Sequence, residues 1–210
     1  MKLGEMLPMM RDFFSDLMHY RRDVSKYDRW IKKYARQKGY RVNPHWMIYT
    51  NLKIWMAESE KAFGKRYCPC YEPSADEALN KKLLCPCAFA EQEIRERGAC
   101  HCVLFGRGDL DNGQFKEAEA RLMEEYRGQP LNLKDGVLDT RGMPRDALRD
   151  LPVPDTLHQV KRALGRFKGT PFQVIVATER EVTNMKGFAA LRGIAFRSER
   201  DGDAFRMTLN

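Results

Sequence analysis

The sequence predicts an α+β protein in two parts. A mostly helical domain covers residues 1–130, and a small two-layer α/β domain of order βαβαββ covers residues 131–210. Three observations carry that prediction. Through the first part apolar side chains recur at three- and four-residue steps, the mark of helices that bury one stripe. Near Pro130 the pattern changes to short β-branched and aromatic runs alternating with helical ones. All six cysteines lie in the first part, between residues 68 and 102.

The first helical stretch covers residues 5–36. Met6, Leu7, Met10, Phe13, Phe14, Leu17 and Met18 form its stripe, which reads as core in preference to a membrane-surface face. "SKYDRWIKKYARQKG" is a second helical stretch, with Gly39 placed to cap it. Asn43-Pro44 breaks the chain, and "HWMIYTNLKIWMAESEKAFG" resumes as helix to Gly64. Trp30, Trp46 and Trp55 fall at helical spacing with other apolar residues and read as core. After the cysteine window, "GQFKEAEARLMEEYRG" is a further helix, and the domain boundary follows at 128–135. "GVLDT" and "FQVIVAT" then read as strands, and "TLHQVKRALGRF" and "EVTNMKGFAALRG" as helices. "IAFRSER" and "AFRMTL" flank Asp201-Gly202 as a hairpin, so helices pack on one face of a small mixed sheet.

Composition narrows the function classes. The chain is 43% hydrophobic and 31% charged, ordinary for a globular protein. No apolar run reaches the roughly 18 residues of a membrane span. Glu5, Asp12 and Asp16 interrupt the N-terminal apolar stretch, which argues against a signal peptide. These features place the protein in the cytoplasm, where clustered cysteines bind metal or do redox work more often than they form staples. The net charge of +8 is uneven: residues 1–55 hold 12 Lys/Arg against 5 Asp/Glu, whereas residues 56–130 hold 11 against 14. No helix-turn-helix, RRM or zinc-finger spacing accompanies the charge, so no nucleic acid is expected. An acidic protein partner fits the charge as well.

The cysteines form three Cys-x-Cys pairs: Cys68 with Cys70, Cys85 with Cys87, and Cys100 with Cys102. Three chemistries compete for them. Cysteines two apart rarely bridge each other, and three bridges between pairs belong to secreted proteins. Structural zinc takes four thiolates on flexible knuckles, whereas proline stiffens two of these pairs, and two thiols are left over. A [4Fe–4S] cluster also takes four thiolates. The remaining two would be a dithiol/disulfide couple, and a cluster beside a disulfide converts electrons into thiols.

The order C-P-C, C-P-C, C-H-C, with the preceding "YDRWIKKYARQKGYRVNP" and "WMIYTNLKIWMAESEKAFGKRYCPC", resembles the catalytic subunit of ferredoxin:thioredoxin reductase over residues ~25–110. The resemblance implies a [4Fe–4S] cluster held by Cys68, Cys85, Cys87 and Cys100, and a redox disulfide between Cys70 and Cys102. It implies that Cys70 is the exposed nucleophile, that Cys102 stays beside the cluster, and that His101 moves protons. Electrons that arrive singly would leave as a pair, because a sulfur bound to the cluster shares the oxidising equivalent after the first one. The implied partners are a ferredoxin-like electron donor and a thioredoxin-like or other disulfide protein.

Three features depart from that family, the first being a Cys70–Cys85 spacing that is a little shorter. Tyr71 stands where the family commonly has Arg, and "AEQEIRERGA" lengthens the Cys87–Cys100 spacing as a looser loop. Residues ~135–210 weakly resemble the TusA-type sulfur-carrier fold, with Val153 and Thr156 at positions its Cys-Pro-x-Pro motif would fill with cysteine and proline. Lacking a thiol, this part reads as an interaction module. Two other readings stay open: a zinc-stabilised non-catalytic binding module, and a persulfide or trisulfide reductase in sulfur trafficking. His19, His45 and His158 read as solvated or core side chains.

Overall fold

The computed structural model describes residues 3–71, 77–127, 132–146, 148, 151–152, 156–164 and 171–209. Its elements follow in chain order. The first part holds α1 (Leu3–His19), α2 (Arg21–Lys38), β1 (Arg41–Val42), α3 (Trp46–Phe63), α4 (Glu77–Lys82), α5 (Ala90–Arg97), β2 (Phe105–Gly106) and α6 (Asn112–Arg127). Then come β3 (Leu133–Lys134), β4 (Val137–Asp139), β5 (Arg145–Asp146), β6 (Leu151–Pro152), α7 (Thr156–Leu164), β7 (Phe172–Val176), α8 (Glu179–Arg192), β8 (Phe196–Asp201) and β9 (Ala204–Leu209). Contacts divide the chain into two compact units, Met1–Cys70 with Leu84–Leu122, and Tyr71–Leu83 with Met123–Asn210. The sequence-based boundary falls partly on residues 128–131, and Val153 and residues 165–167 also lie outside the described residues.

In the first unit, α2 buries Val24, Tyr27, Ile31 and Ala35, the three- and four-residue rhythm of one helical stripe. Gly39 ends it in the left-handed region, φ 68°, where its N–H reaches the carbonyls of Ala35 and Arg36. The side chain of Asn43 accepts from the His45 N–H at 2.7 Å, a turn that starts α3, and Gly64 caps that helix at φ 70°. Tyr27 also donates to Glu60, which ties α2 to α3.

Two apolar sets depart from the sequence expectation. Phe13 is buried with Val24 and Ile54, but Met10, Phe14 and Met18 are exposed. The α1 stripe is wider than the surface it covers: the row through Phe13 and Leu17 packs inward, and the row four residues apart through Met10, Phe14 and Met18 does not. Trp46 and Trp55 are also exposed, at 54% and 47%, so they are not core. Trp46 stands at the start of α3 with its ring edge against Phe13, and Trp55 lies between buried Ile54 and Met56 and so turns the other way. The stretch expected as a loose loop after Cys87 is the helix α5.

The second unit is built on a five-stranded sheet of order β3-β4-β7-β9-β8. β4 and β7 run parallel and the other neighbours are antiparallel, as the α7 crossover and the Gly202 hairpin require. Phe172, Val174 and Val176 alternate inward from β7 and meet Leu157 and Val160 of α7 and Met185 and Phe188 of α8. Both helices therefore cover one face. α8 starts at Thr178, whose hydroxyl donates to buried Glu181 at 2.7 Å, while the Thr156 hydroxyl donates to the other oxygen of that carboxylate at 2.9 Å. No described helix is long and apolar enough to cross a membrane.

Candidate active site

Three turns of the first unit carry the cysteine pairs. The first pair follows α3, where Tyr67 bridges Leu84 and the Cys85 N–H donates to the Arg66 carbonyl at 2.8 Å. These two bonds lay the first and second pairs side by side. The peptide bond before Pro86 is cis. The second pair leads into α5, where the Ala90 N–H donates to the Cys87 carbonyl at 3.0 Å. α5 ends at Gly98, φ 84°, and Ala99 then bridges Gly106.

The third pair sits on a tight excursion closed by that bridge. The Cys100 N–H donates to the Phe105 carbonyl at 2.9 Å, and the Phe105 N–H points back at Cys100 Sγ, 3.3 Å away. Val103, directly after Cys102, has φ 58°, a rare region for a β-branched residue. β2 is paired in turn with β1, Val42 opposite Phe105, so the sulfur turn is anchored to the end of α2.

Cys68, Cys85, Cys87, Cys100 and Cys102 line one cavity, with Pro86, His101 and Phe105. The sulfurs of Cys68, Cys70 and Cys102 all lie within 4.8 Å of one another, and those of Cys100 and Cys102 are 3.7 Å apart. Cys70 is partly exposed, whereas the other five cysteines are buried. All seven residues expected from the sequence thus gather in one place; Cys70 stands at the rim and is not part of the cavity lining. Cys85 and Cys87 line the cavity but do not belong to the tight group of three sulfurs.

The electrostatics favour a cation among these sulfurs. Burial pushes the Cys70 and Cys85 thiols well up. Contact with Cys100 pushes Cys102 up, and hydrogen bonds from Cys102, Cys70 and Cys87 pull Cys68 well down. Several buried thiolates side by side are costly without a counter-charge, since unpaired buried charges are. Four thiolates need the positive charge of a metal centre. The donor set fits one: it is soft, all sulfur and enclosed, which suits iron–sulfur or zinc over magnesium or calcium.

The sequence did not reveal what holds these turns. Buried Glu93 of α5 accepts from the His101 N–H at 2.9 Å and so fixes the residue between Cys100 and Cys102. Asn43 donates to the Val103 carbonyl at 3.0 Å and to Glu119 Oε1 at 2.8 Å, and His45 Nδ1 lies 3.0 Å from Glu119 Oε2. His45 is therefore engaged with Glu119, whereas His19 is exposed and the His158 side chain lies outside the described residues. Only Asn43 announced itself, through the turn signal Asn43-Pro44. A carboxylate on a short charged helix carries no such mark.

The model of the family described as ferredoxin thioredoxin reductase catalytic beta chain matches residues 18–127. The chain is 30% identical over 104 residues to the ferredoxin-thioredoxin reductase, catalytic chain of Synechocystis sp. (strain ATCC 27184 / PCC 6803 / Kazusa), which covers 46% of this chain and 85% of that protein. It is also 30% identical over 81 residues to the protein of the same description from Guillardia theta, covering 36% of this chain and 76% of that one.

Proposed function

This chain belongs to the ferredoxin thioredoxin reductase catalytic beta chain family, and from that premise we propose that it reduces a protein disulfide with electrons from a ferredoxin-like donor. The observation that carries the reading is the meeting of the Cys68, Cys70 and Cys102 sulfurs within 4.8 Å at the edge of a cysteine-lined cavity. Cys68, Cys85, Cys87 and Cys100 hold a [4Fe–4S] cluster, which when bound supplies electrons one at a time.

The protein's own thiols do the exchange chemistry. Cys70, the partly exposed member, first gives up the proton that its surroundings favour and then attacks the target disulfide as thiolate. The target S–S bond breaks, a mixed disulfide forms through Cys70, and the departing target sulfur takes a proton. Cys102 then attacks the Cys70 sulfur, which closes the Cys70–Cys102 disulfide and frees the second target thiol. Two electrons from the donor and two protons restore both thiols. His101, whose backbone N–H is held by Glu93, gives and takes those protons. A thioredoxin-like protein is the target class that the family description supports, and such thiol chemistry suits a reducing compartment such as the cytoplasm. The second unit has no cysteine after Cys102 and serves as an interaction module.

A trapping experiment tests the assignment. Cys102→Ser, incubated with an oxidised thioredoxin-like protein, is expected to accumulate a mixed disulfide through Cys70. The Cys70→Ser variant is expected to form none and to lose disulfide reductase activity. Full activity in Cys70→Ser would overturn the proposal.

A further inference from the structure

The five-stranded sheet of the second unit has two unequal edges. β3 ends it with two residues, Leu133–Lys134, which offer little to pair with. β8 ends it with six, Phe196–Asp201, and no described strand lies on its far side. A long bare edge recruits other strands, and folds blunt it with proline, a bulge, a cover or charge. The β8 sequence, FRSERD, holds no proline or glycine, and its ladder with β9 runs residue for residue from Phe196 opposite Leu209 to Asp201 opposite Ala204. Residues 197–201 are all exposed. Charge is what remains, and its pattern decides which partner fits.

The phase of the ladder fixes which backbone groups are free. The two-residue loop Gly202-Asp203 closes on the hydrogen-bonded pair Asp201–Ala204. Bonded and non-bonded pairs then alternate along the hairpin. Arg197 and Glu199 therefore spend their N–H and C=O groups on β9, and Phe196, Ser198 and Arg200 point theirs away from the sheet.

The side chains are self-complementary about Ser198. When a second β8 lies antiparallel with Ser198 opposite Ser198, Arg197 of each copy falls opposite Glu199 of the other, and Phe196 opposite Arg200. The outward groups of Phe196, Ser198 and Arg200 then form the hydrogen-bonded pairs, about six bonds in all. Arg197 and Glu199 fall in the non-bonded pairs, where side chains approach most closely and opposite charges favour the match. Among the described residues no ion pair within the chain uses up either of them. A slip of two residues sets Arg197 opposite Arg197 or Glu199 opposite Glu199, and a slip of one leaves the outward groups unmatched.

We propose that β8 pairs antiparallel with β8 of a second copy of this chain, about a two-fold axis at Ser198, which joins the two sheets edge to edge. A strand of another protein offers the same backbone bonds, but the charge match selects a copy of β8. The pairing gives the interaction-module reading of the second unit a partner, and it does not depend on disulfide reduction. A single strand pair is a small interface, so a dissociation constant of roughly 10–100 μM is expected.

Sedimentation of the full-length, iron-loaded chain under reductant, over concentrations that bracket that value, tests the pairing. Wild type is expected to pass from monomer to dimer. Arg197→Glu and Glu199→Arg each set like charges opposite one another, and each alone is expected to weaken self-association about tenfold or more. Mixed in equal amounts, the two variants are expected to pair with each other. The double variant Arg197→Glu/Glu199→Arg is expected to self-associate as wild type does. Ser198→Pro removes the outward N–H on the axis but none of the bonds to β9, and is expected to abolish the dimer with circular dichroism unchanged. A wild-type chain that stays monomeric throughout would overturn the proposal. Dimers that survive Ser198→Pro, or single variants that stay apart when mixed, would overturn it too. Thiol exchange per chain is expected to be the same in every variant, so a failed pairing leaves the reductase reading standing.

Discussion

The side-chain amide of Asn43 donates to the carbonyl of Val103, 3.0 Å away, across 60 positions of sequence. Val103 follows Cys102 and sits at φ 58°, so this bond holds a strained turn that a β-branched residue does not adopt freely. The second N–H of the same amide goes to buried Glu119. Asn43→Ala would leave both acceptors unsatisfied, at a cost of about 2–4 kcal/mol in unfolding free energy. Chemical denaturation checks the stability. The rate at which the Cys102 thiol is alkylated is expected to rise in the same variant, because the turn that hides it loosens.

Gly106 is required by packing. A Cβ there would meet the Phe115 ring at 2.5 Å and Leu110 at 2.8 Å, and both side chains are buried. Gly106→Ala is therefore expected to destabilise the fold by about 1–3 kcal/mol through overpacking beneath the third cysteine turn. The double variant Gly106→Ala/Phe115→Leu is expected to recover part of that loss. Equal stability of wild type and Gly106→Ala in thermal unfolding would contradict this account of β2.

Lys53 is buried against Asp28 at 3.1 Å, and Lys32 reaches the other carboxylate oxygen at 2.8 Å. Burial acts to raise the Asp28 pKa, but the hydrogen bonds from Lys32 and Lys53 outweigh it and hold the carboxyl below its ordinary value. Burial pulls the Lys53 ammonium down, so its charge relies on Asp28. A carboxyl held below its unfolded value contributes stability above about pH 4, and that contribution is lost as the pH falls through the lower folded value. Asp28→Asn is expected to cost roughly 1–3 kcal/mol at neutral pH and to flatten the acid limb of the stability curve. Urea unfolding between pH 3 and 7 checks both parts.

In the second unit the Thr178 hydroxyl donates to the Glu181 carboxylate and accepts from the Glu181 N–H, a reciprocal cap on α8. Thr156 of α7 binds the same carboxylate, and Arg145 lies 3.4 Å from it. Glu181→Ala is expected to cost about 2 kcal/mol or more, and Thr178→Ala about 1 kcal/mol. Thermal unfolding distinguishes the two.

Legibility followed the range of the interaction. Helix ends at Gly39 and Gly64 and the hairpin at Gly202 were readable because each depends on a local backbone need that glycine meets. The α7 and α8 stripes were readable because they repeat. The Thr178–Glu181 cap carries a local signal, Thr-x-x-Glu, that marks the start of α8 two residues earlier than its apolar pattern does. Glu93 and Glu119 were not readable, since nothing local says which of many carboxylates will be buried against a distant donor. The exposed Trp46 and Trp55 show the converse: apolar character fixes what can be buried, not which face finds a partner. The cysteines were readable because six sulfurs in pairs have few chemical uses.

The central claim is that Cys68, Cys85, Cys87 and Cys100 hold iron while Cys70 and Cys102 handle disulfides. Anaerobic purification with iron and zinc analysis and a visible spectrum tests it on wild type and the six single Cys→Ser variants. About four irons per chain and a broad absorbance near ~400 nm are expected for wild type, Cys70→Ser and Cys102→Ser, with loss of both in the other four. A colourless, iron-free wild-type protein, or one that holds zinc instead, would contradict the account.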